Sequence, residues 1–296
     1  MTLVVGATGF LGTEICRRLA AFGTPFRAMV RSSSDQAKKD VLKELGAQLI
    51  EGDLKDRASL DRACAGASSV ITTAIAISSK QQGDTFETVD LQGQMNLIDA
   101  ARAAKIQHYV FISVSGNFGK NGGNPLVDAK RAVEKHLRKS GLGYTILRPS
   151  VFMEIWLSPH LGFDFPNAKA TIYGSGQNPI SYVSLQDVAQ LAVQALENPA
   201  AANATIELGG AEALSPLQVV AIFEEIAGRP FEKQFVPQED LVARKSAARN
   251  PVEQTFADLM LGSTQGDEIE MSDTIGKFSL RLKSVREYAK AVLGAK

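Results

Sequence analysis

No single sign of charge dominates this sequence, and that excludes several kinds of partner. The 296 residues contain 32 Lys and Arg against 32 Asp and Glu, a formal net charge of zero. No overall field therefore attracts nucleic acid or anionic lipid. No apolar run approaches the roughly 20 residues that a helix needs to cross a bilayer. We expect neither a nucleic-acid nor a membrane partner.

Cysteine and histidine are also scarce. The two cysteines, Cys16 and Cys64, lie in helix-like stretches and match no metal-binding spacing. They are typical of small core residues in a reducing compartment. The three histidines are scattered along the chain and indicate no metal cluster. Because a strand pattern begins at Thr2, we expect no signal or transit peptide, and we expect a cytoplasmic, metal-free protein.

Apolar strands alternate with amphipathic helices up to Pro149. The run "TLVVGA" predicts a buried strand, and the apolar spacing over 10 to 22 predicts the helix that follows it. The alternation continues to the strand "GYTILRP". It predicts right-handed crossovers and a parallel sheet covered on both faces. The expected fold is α/β, a doubly wound parallel sheet of the Rossmann type.

The regular alternation of strand and helix patterns ends at Pro149. The stretch "ATIYGSGQNPISYVS" predicts two strands around a glycine-rich turn, and "DVAQLAVQALENP" predicts a helix capped by Asp187. A strand in "ATIELGG" and a capped helix in "SPLQVVAIFEEIAG" follow. We therefore expect an NAD(P)-binding Rossmann domain over residues 1–150. A smaller C-terminal α/β substrate lobe, residues 151–296, would be intertwined with it.

The motif "GATGFLG" places three equally spaced glycines between the first strand and its helix. Such a turn collects free backbone N–H groups at the positive end of a helix, and glycines let a pyrophosphate approach the backbone. A tight strand–helix corner is the structural alternative. The surrounding α/β pattern favours dinucleotide binding. The residues assigned to the cofactor here are Gly6, Thr8, Gly9, Phe10, Leu11 and Gly12.

The end of the second strand indicates which dinucleotide would bind. An NAD-preferring site has an Asp or Glu there, which accepts a hydrogen bond from the ribose 2′-hydroxyl. This sequence has Arg31 followed by three serines, and no carboxylate adjoins it. A guanidinium suits a 2′-phosphate, although Arg31 could also simply end an exposed strand. We expect NADP(H) to be preferred over NAD(H).

Two further strand ends complete the predicted cofactor site. Asp53 and Leu54 follow the third strand, where a side chain could reach the adenine. Asp53 could equally cap the next turn, and both interpretations stay open. Thr73 and Ala74 follow the fourth strand and are assigned to the cofactor as well.

Several stretches together resemble the atypical, NmrA-like and isoflavone-reductase-like branch of the short-chain dehydrogenase/reductase superfamily. The matching motifs are "GATGFLG", "EGDLKD", "VDLQGQMNLIDAA", "FISVSG", "AKRAVEKHLRKSGLGYTILRP" and "ISYVSLQDVA". The resemblance implies an NAD(P)-binding Rossmann domain with a small substrate lobe, the nicotinamide lying near Ser113, Val114 and Ser115. Relatives in the superfamily are often homodimers.

The resemblance also bears on the catalytic residues. Better-known members use a Tyr-x-x-x-Lys pair, and here Lys130 matches the lysine while Leu126 stands at the tyrosine position. Without that proton donor, epimerase, dehydratase and ordinary ketone-reductase activities are disfavoured. The atypical branch keeps the lysine, often without the tyrosine, and reduces phenolic double bonds, quinones and dyes. Lys130 is the predicted catalytic residue, and Ser113 and Ser115 are weaker candidates. Lys130, which would orient the nicotinamide ribose, and Ser113 are also assigned to the cofactor.

The alternative for Lys130 is a solvated position on a basic helix, as Lys135 and Lys139 are expected to have. On the substrate side, "RPSVFMEIWLSPHLGFDFP" is rich in large apolar groups, and Phe152, Met153 and Trp156 are the candidate substrate contacts. Core packing explains this run equally well. We expect a small, mostly apolar acceptor of the quinone, enone or phenolic type.

Two functions of different classes follow. The first is an NADPH-dependent reductase that transfers hydride to such an acceptor. The second is a non-catalytic NAD(P)-binding redox sensor or assembly protein of the NmrA type, which acts through a protein partner. The missing tyrosine is compatible with both.

Overall fold

The computed structural model describes residues 1–77, 79, 81–120 and 122–294. The chain forms two compact units whose segments alternate along the sequence. The first unit consists of Met1–Ser113, Leu126–Arg148 and Val188–Ile206. The second unit consists of Val114–Pro125, Pro149–Asp187 and Glu207–Lys296. The functional division at residue 150 stays a prediction.

Within the described residues, ten strands form two sheets. The strands are β1 (Thr2–Val5), β2 (Phe26–Val30), β3 (Gln48–Glu51), β4 (Ser69–Thr72), β5 (His108–Ile112), β6 (Gly143–Pro149), β7 (Phe163–Asp164), β8 (Lys169–Tyr173), β9 (Ala204–Leu208) and β10 (Glu232–Val236). The larger sheet has the order β3-β2-β1-β4-β5-β6-β9, and β1 to β6 pair in parallel. This confirms the doubly wound α/β fold. The order reverses between β1 and β4, which is the switch point of such sheets.

Helices follow most of the strands. They are α1 (Phe10–Ala21), α2 (Gln36–Glu44), α3 (Arg57–Cys64), α4 (Gln92–Ala103), α5 (Pro125–Lys139), α6 (Met153–Trp156), α7 (Leu185–Gln194), α8 (Pro216–Ala227), α9 (Gln238–Ser246), α10 (Pro251–Ser263), α11 (Ser272–Phe278) and α12 (Val285–Leu293). A π-helical segment, Phe86–Leu91, leads into α4. Across the described part of the chain, every helix is too short or too polar to span a bilayer.

The core of the first unit lies between the sheet and its helices. All four residues of β1 and of β4 are buried, as expected of parallel strands covered on both faces. Leu97 of α4 and Val133 of α5 are fully buried in the same apolar cluster. Each such side chain stabilises the fold by about 1.5–3 kcal/mol relative to an exposed position. The sheet is therefore a rigid support for the loops at its strand ends.

The second unit contains the three-stranded sheet β10-β8-β7 and an aromatic cluster. Phe163 packs edge-on against Phe223, with ring centroids 4.7 Å apart. The predicted capping of α8 is confirmed, since Ser215 and Gln218 form a reciprocal capping box and Pro216 follows.

Two local predictions for this part of the chain are wrong. Only one of the two strands expected in "ATIYGSGQNPISYVS" forms, namely β8; around Ile180 there are isolated bridges to Leu214 and Asp267. Pro179 has no N–H with which to extend that pairing. Asp187 lies inside the first turn of α7, and its carboxylate accepts from the backbone N–H of Lys283 at 2.9 Å. Asp187 therefore lies inside the helix rather than at its N-cap, and its Oδ2 binds a distant segment of the second unit.

Candidate functional site

The glycine loop between β1 and α1 is a close-packed corner. Gly6 has φ +83°, and a Cβ there would lie 2.7 Å from the backbone nitrogen of Ala74. A Cβ on Gly12 would lie 2.1 Å from the Gly6 carbonyl oxygen. Only glycine fits at these two positions, whatever binds nearby. The structural alternative therefore accounts for two of the three glycines.

Gly9 has a different role, because it leaves a helix end open. It stands at the N-cap of α1 with φ −81°, and no side chain of the described residues caps the helix there. The first turn carries no acidic residue. The N–H groups of that turn and the positive end of the helix are available to an anion. This cradle fits the pyrophosphate of a dinucleotide.

A cavity of about 250 Å³ lies at the carboxyl ends of β1, β2, β3 and β4. It spans the switch point of the sheet, where ligands of doubly wound folds bind. Its volume is comparable to the lower end of small-molecule pockets, roughly 300 Å³. The predicted cofactor residues that line it are Gly6, Thr8, Gly9, Arg31, Asp53, Leu54, Thr73 and Ala74.

Three predicted residues of the loop lie elsewhere. Within the described chain, Phe10, Leu11 and Gly12 are not among the residues that line the cavity. Phe10 is 81% exposed, whereas Leu11 is buried in the core. Gly12 packs on Gly6 and lets α1 approach β1 closely.

The expectation that no carboxylate accompanies Arg31 is wrong. A guanidinium nitrogen of Arg31 lies 2.5 Å from Oδ2 of Asp84, whose side chain is 1% exposed. Burial raises the pKa of this carboxyl, but hydrogen bonds from Lys55, Ser79 and Arg31 outweigh burial and hold the pKa below its ordinary value. Asp84 is therefore ionised at neutral pH and lines the same cavity as the glycine loop.

Sequence reasoning missed Lys55 and Asp84 at this site. The Lys55 ammonium pairs with Asp84 and lies 3.4 Å from Oδ2 of Asp53. The sequence could have indicated Lys55, since it stands two residues after Asp53 in "EGDLKD", at the same strand end as the predicted cofactor residues. Asp84 had none, because it reaches Arg31 only through the fold. Lys38 of α2, unlike Lys55, is among the residues that line the cavity.

Asp53 combines the two interpretations that the sequence left open. Its Oδ1 accepts from the backbone N–H of Lys55 at 2.8 Å, which stabilises the turn. Its Oδ2 accepts from the Gln81 side-chain amide at 3.2 Å. Both Asp53 and Leu54 also line the cavity, so a contact with adenine stays a prediction for each. The N-cap of α3 is Asp56.

Lys130 is a buried lysine of α5, not a solvated one. Its side-chain nitrogen donates to the carbonyl oxygen of Ile112, at the carboxyl end of β5, at 2.9 Å. It lies 5.2 Å from the centroid of the Phe111 ring. Burial lowers the pKa of Lys130, and the negative charges of Asp90 and Glu134 partly restore it. Lys135 and Lys139 of the same helix are exposed, as expected.

Asp90 is a second buried charge that sequence reasoning missed. It is 2% exposed, and its Oδ2 accepts from the backbone N–H of Ala76 at 2.9 Å. Its Oδ1 is buried without a hydrogen-bond partner in the described structure. Burial raises the pKa of Asp90 to about 6, against the opposing charge of Lys130. The two groups form a coupled buried pair in the first unit.

Ser113 belongs to an ion cluster in the first unit. Its hydroxyl donates to Glu134 at 2.6 Å, and the same carboxylate pairs with Arg131, Arg138 and Arg148 at 2.7, 3.2 and 2.5 Å. Glu134 is 1% exposed. Burial raises the pKa of Glu134, but the bonds from Arg148 and Ser113 and the arginine charges lower it to about 2. A catalytic role for Ser113 stays a prediction.

In the second unit, Ser115 is committed to a buried carboxylate. Asp267 is fully buried and accepts from the hydroxyls of Ser115 and Ser150 at 2.7 and 2.6 Å. The amide of Asn117 donates to the same side chain at 2.8 Å. This satisfied network ties three segments of the second unit together.

The three candidate substrate residues have different environments. Met153 is fully buried, and Phe152 forms a strand-like bridge with Val183. Trp156 lines a small apolar cavity of about 40 Å³ in the second unit, together with Phe163. That cavity holds a few waters at most, so it is far too small for an aromatic substrate. For Met153 the core-packing interpretation accounts for its burial; substrate contacts by the three stay predictions.

The doubly wound sheet, with a glycine cradle at its switch point, defines a Rossmann-type dinucleotide-binding fold. The NmrA-like family matches residues 1–289, and the chain belongs to this family. The predicted resemblance is thereby confirmed.

The proteins similar to this chain include an assembly factor as well as reductases. Photosystem II assembly factor Ycf39 of Synechocystis sp. is 32% identical over 250 residues, covering 83% of this chain and 74% of the relative. NAD(P)H azoreductase of Xenophilus azovorans is 29% identical over 263 residues, covering 88% and 85%. The NADPH complex of the quinone oxidoreductase QOR2 from Escherichia coli has the same fold, with a TM-score of 0.79, 23% identity and 99% of each chain covered.

Proposed function

We propose that this protein is an NADPH-dependent reductase that transfers hydride to a small, mostly apolar acceptor of the quinone, enone or phenolic type. The single observation that carries the proposal is the cavity at the switch point, with its open helix end at Gly9, Arg31 in its lining, and Lys55 ion-paired to the lining residue Asp84. Azoreductase and quinone oxidoreductase among the similar proteins support it. Bound NADPH would supply the hydride.

The chain's own residues bind and orient the cofactor in this proposal. The first turn of α1 holds the pyrophosphate, and Arg31 with Lys55 holds the 2′-phosphate. Hence NADP(H) is preferred over NAD(H).

Lys130 supplies the proton in this proposal. Its ammonium has three N–H donors, of which one is directed at the Ile112 carbonyl, so it can also hold a ribose hydroxyl or the acceptor oxygen. Burial lowers its pKa, which makes it a better proton donor than a solvated lysine. Leu126, where a tyrosine would stand in better-known relatives, is buried in the core and offers no proton.

The test is the loss of NADPH absorbance with a panel of quinones, azo dyes and enones, for the wild type and Lys130→Met. We expect kcat/KM to fall by roughly a hundredfold, because a positioned general acid contributes about that much. Lys135→Met, an exposed lysine on the same helix, is the matched control and should retain full turnover. Equal turnover in all three proteins would remove Lys130 from the mechanism.

A second function is favoured by the Ycf39 relatives, which are named as assembly factors. We propose as the alternative a non-catalytic NAD(P)-binding sensor or assembly protein. Such a protein should bind NADPH and NADP⁺ with different affinities, reduce none of the panel, and bind a protein partner in one redox state only. Equal affinities without a partner would argue against it. The two buried free cysteines support a cytoplasmic location for either function.

A further inference from the structure

The cavity contains its own anion at the place where the cations are. Asp84 is ion-paired to Arg31 and to Lys55, and Ser79 donates to the same carboxylate. All three donors converge on a side chain that is 1% exposed. Asp84, Arg31 and Ser79 each line the cavity.

This arrangement changes the electrostatics of the predicted phosphate subsite. Arg31 and Lys55 together carry two positive charges, while Asp84 and the nearby Asp53 carry two negative ones. The charges of these four side chains cancel, so among the described residues of this site a 2′-phosphate with its two charges would meet one uncompensated cation, Lys38, rather than three. A ribose 2′-hydroxyl, by contrast, is a donor that a carboxylate can accept, as acidic residues do in NAD-preferring sites.

We propose that Asp84 is a specificity-determining residue, an internal counter-ion that a 2′-phosphate must displace from Arg31 and Lys55. Asp84 thereby reduces the factor by which the site binds NADP(H) more tightly than NAD(H). The inference rests on the proposed cofactor site. It depends on the charge of one residue that is remote from Arg31 in sequence. It does not require that any acceptor be reduced.

Calorimetric titration with two cofactor fragments tests it. Adenosine 2′,5′-bisphosphate carries the 2′-phosphate, and adenosine 5′-monophosphate does not. In Asp84→Asn we expect the affinity for the bisphosphate to rise about tenfold, since a like charge within ion-pairing distance is removed. The affinity for the monophosphate should stay within about twofold or fall, because the amide is a weaker acceptor for the ribose hydroxyl.

Asp61→Asn is the matched control. It removes the same charge from α3, where Asp61 pairs with Arg57 on the surface, and should change neither affinity. Lys55→Gln tests the site even if Asp84→Asn fails to fold, and should weaken the bisphosphate about fivefold relative to the monophosphate.

Equal changes for both fragments in these variants, or no binding of either by the wild type, would overturn the inference. Because no turnover is needed, a protein that shows the expected shifts but reduces nothing would refute the reductase and leave the role of Asp84 intact.

Discussion

Lys130 and Asp90 are two opposite charges buried in the first unit, and each influences the protonation of the other. Burial disfavours the charged form of both. The negative charge of Asp90 favours the protonated form of Lys130 and so raises the pKa of the lysine. No direct ion pair joins the two side chains among the contacts of the described chain. We infer that Asp90 is a positioning residue for the lysine, acting through its charge.

Asp90→Asn tests this on the pH profile of acceptor reduction. Without the carboxylate the pKa of Lys130 falls further, so the alkaline decline of kcat/KM should move to lower pH. Below about pH 6 the wild-type Asp90 is itself protonated, and the two profiles should converge there. NADPH affinity, measured by fluorescence titration, should not change. Superimposable profiles above pH 6 would exclude the role of Asp90.

The turn from β1 into α1 shows that equally spaced glycines can do different work. Gly6 and Gly12 satisfy close backbone packing, and Gly9 keeps the helix end open. Two of the equally spaced glycines are therefore required for packing of the strand–helix corner, and the third is required to leave room for a ligand at the helix end. Substitutions by alanine separate the two.

Gly12→Ala should lower the free energy of unfolding by about 3 kcal/mol or more, because the new Cβ overlaps the Gly6 carbonyl. At Gly9 the backbone φ is ordinary, and an added Cβ would lie 3.3 Å from its nearest atom, the Gly6 carbonyl oxygen. The free energy of unfolding of Gly9→Ala should therefore stay within about 1 kcal/mol of the wild-type value. The same Gly9 variant should lose most of its NADPH affinity. Urea unfolding and NADPH titration of both variants measure this; a stable Gly12→Ala protein would contradict the packing argument.

The stability of the whole first unit depends on pH through Glu134. Its pKa is lowered from 4.5 to about 2, so it contributes stability that is present above about pH 4.5 and is lost as pH falls toward 2. Glu134→Gln should lower the free energy of unfolding by about 3 kcal/mol at neutral pH. This difference should vanish near pH 2.

Urea unfolding at a series of pH values measures the effect. Glu14→Gln is the control from the same unit, since among the described residues Glu14 pairs with the partly exposed Arg17 and Arg18 alone. Glu14→Gln should lower the free energy of unfolding by no more than about 1 kcal/mol. A pH-independent difference for Glu134→Gln would show that its charge is not what stabilises the cluster.

The chain pattern predicted the architecture because the relevant signals are local. Burial on both faces makes parallel strands continuously apolar, and helical spacing marks the crossovers, so the doubly wound sheet was predicted correctly. The capping box at Ser215 was also readable, since all its members lie within four residues. The positions of Arg31 and of the glycines at strand ends follow from the same local order.

Contacts between distant residues could not be read in this way. Asp84 pairs with Arg31, the backbone N–H of Lys283 donates to Asp187, and Lys130 is buried on a helix whose other lysines are solvated. Sequence order alone establishes which residues end each strand and therefore which can surround the switch point. Packing alone establishes which of these charges are paired, because ion pairing and desolvation depend on distances of a few ångströms between segments far apart in the chain.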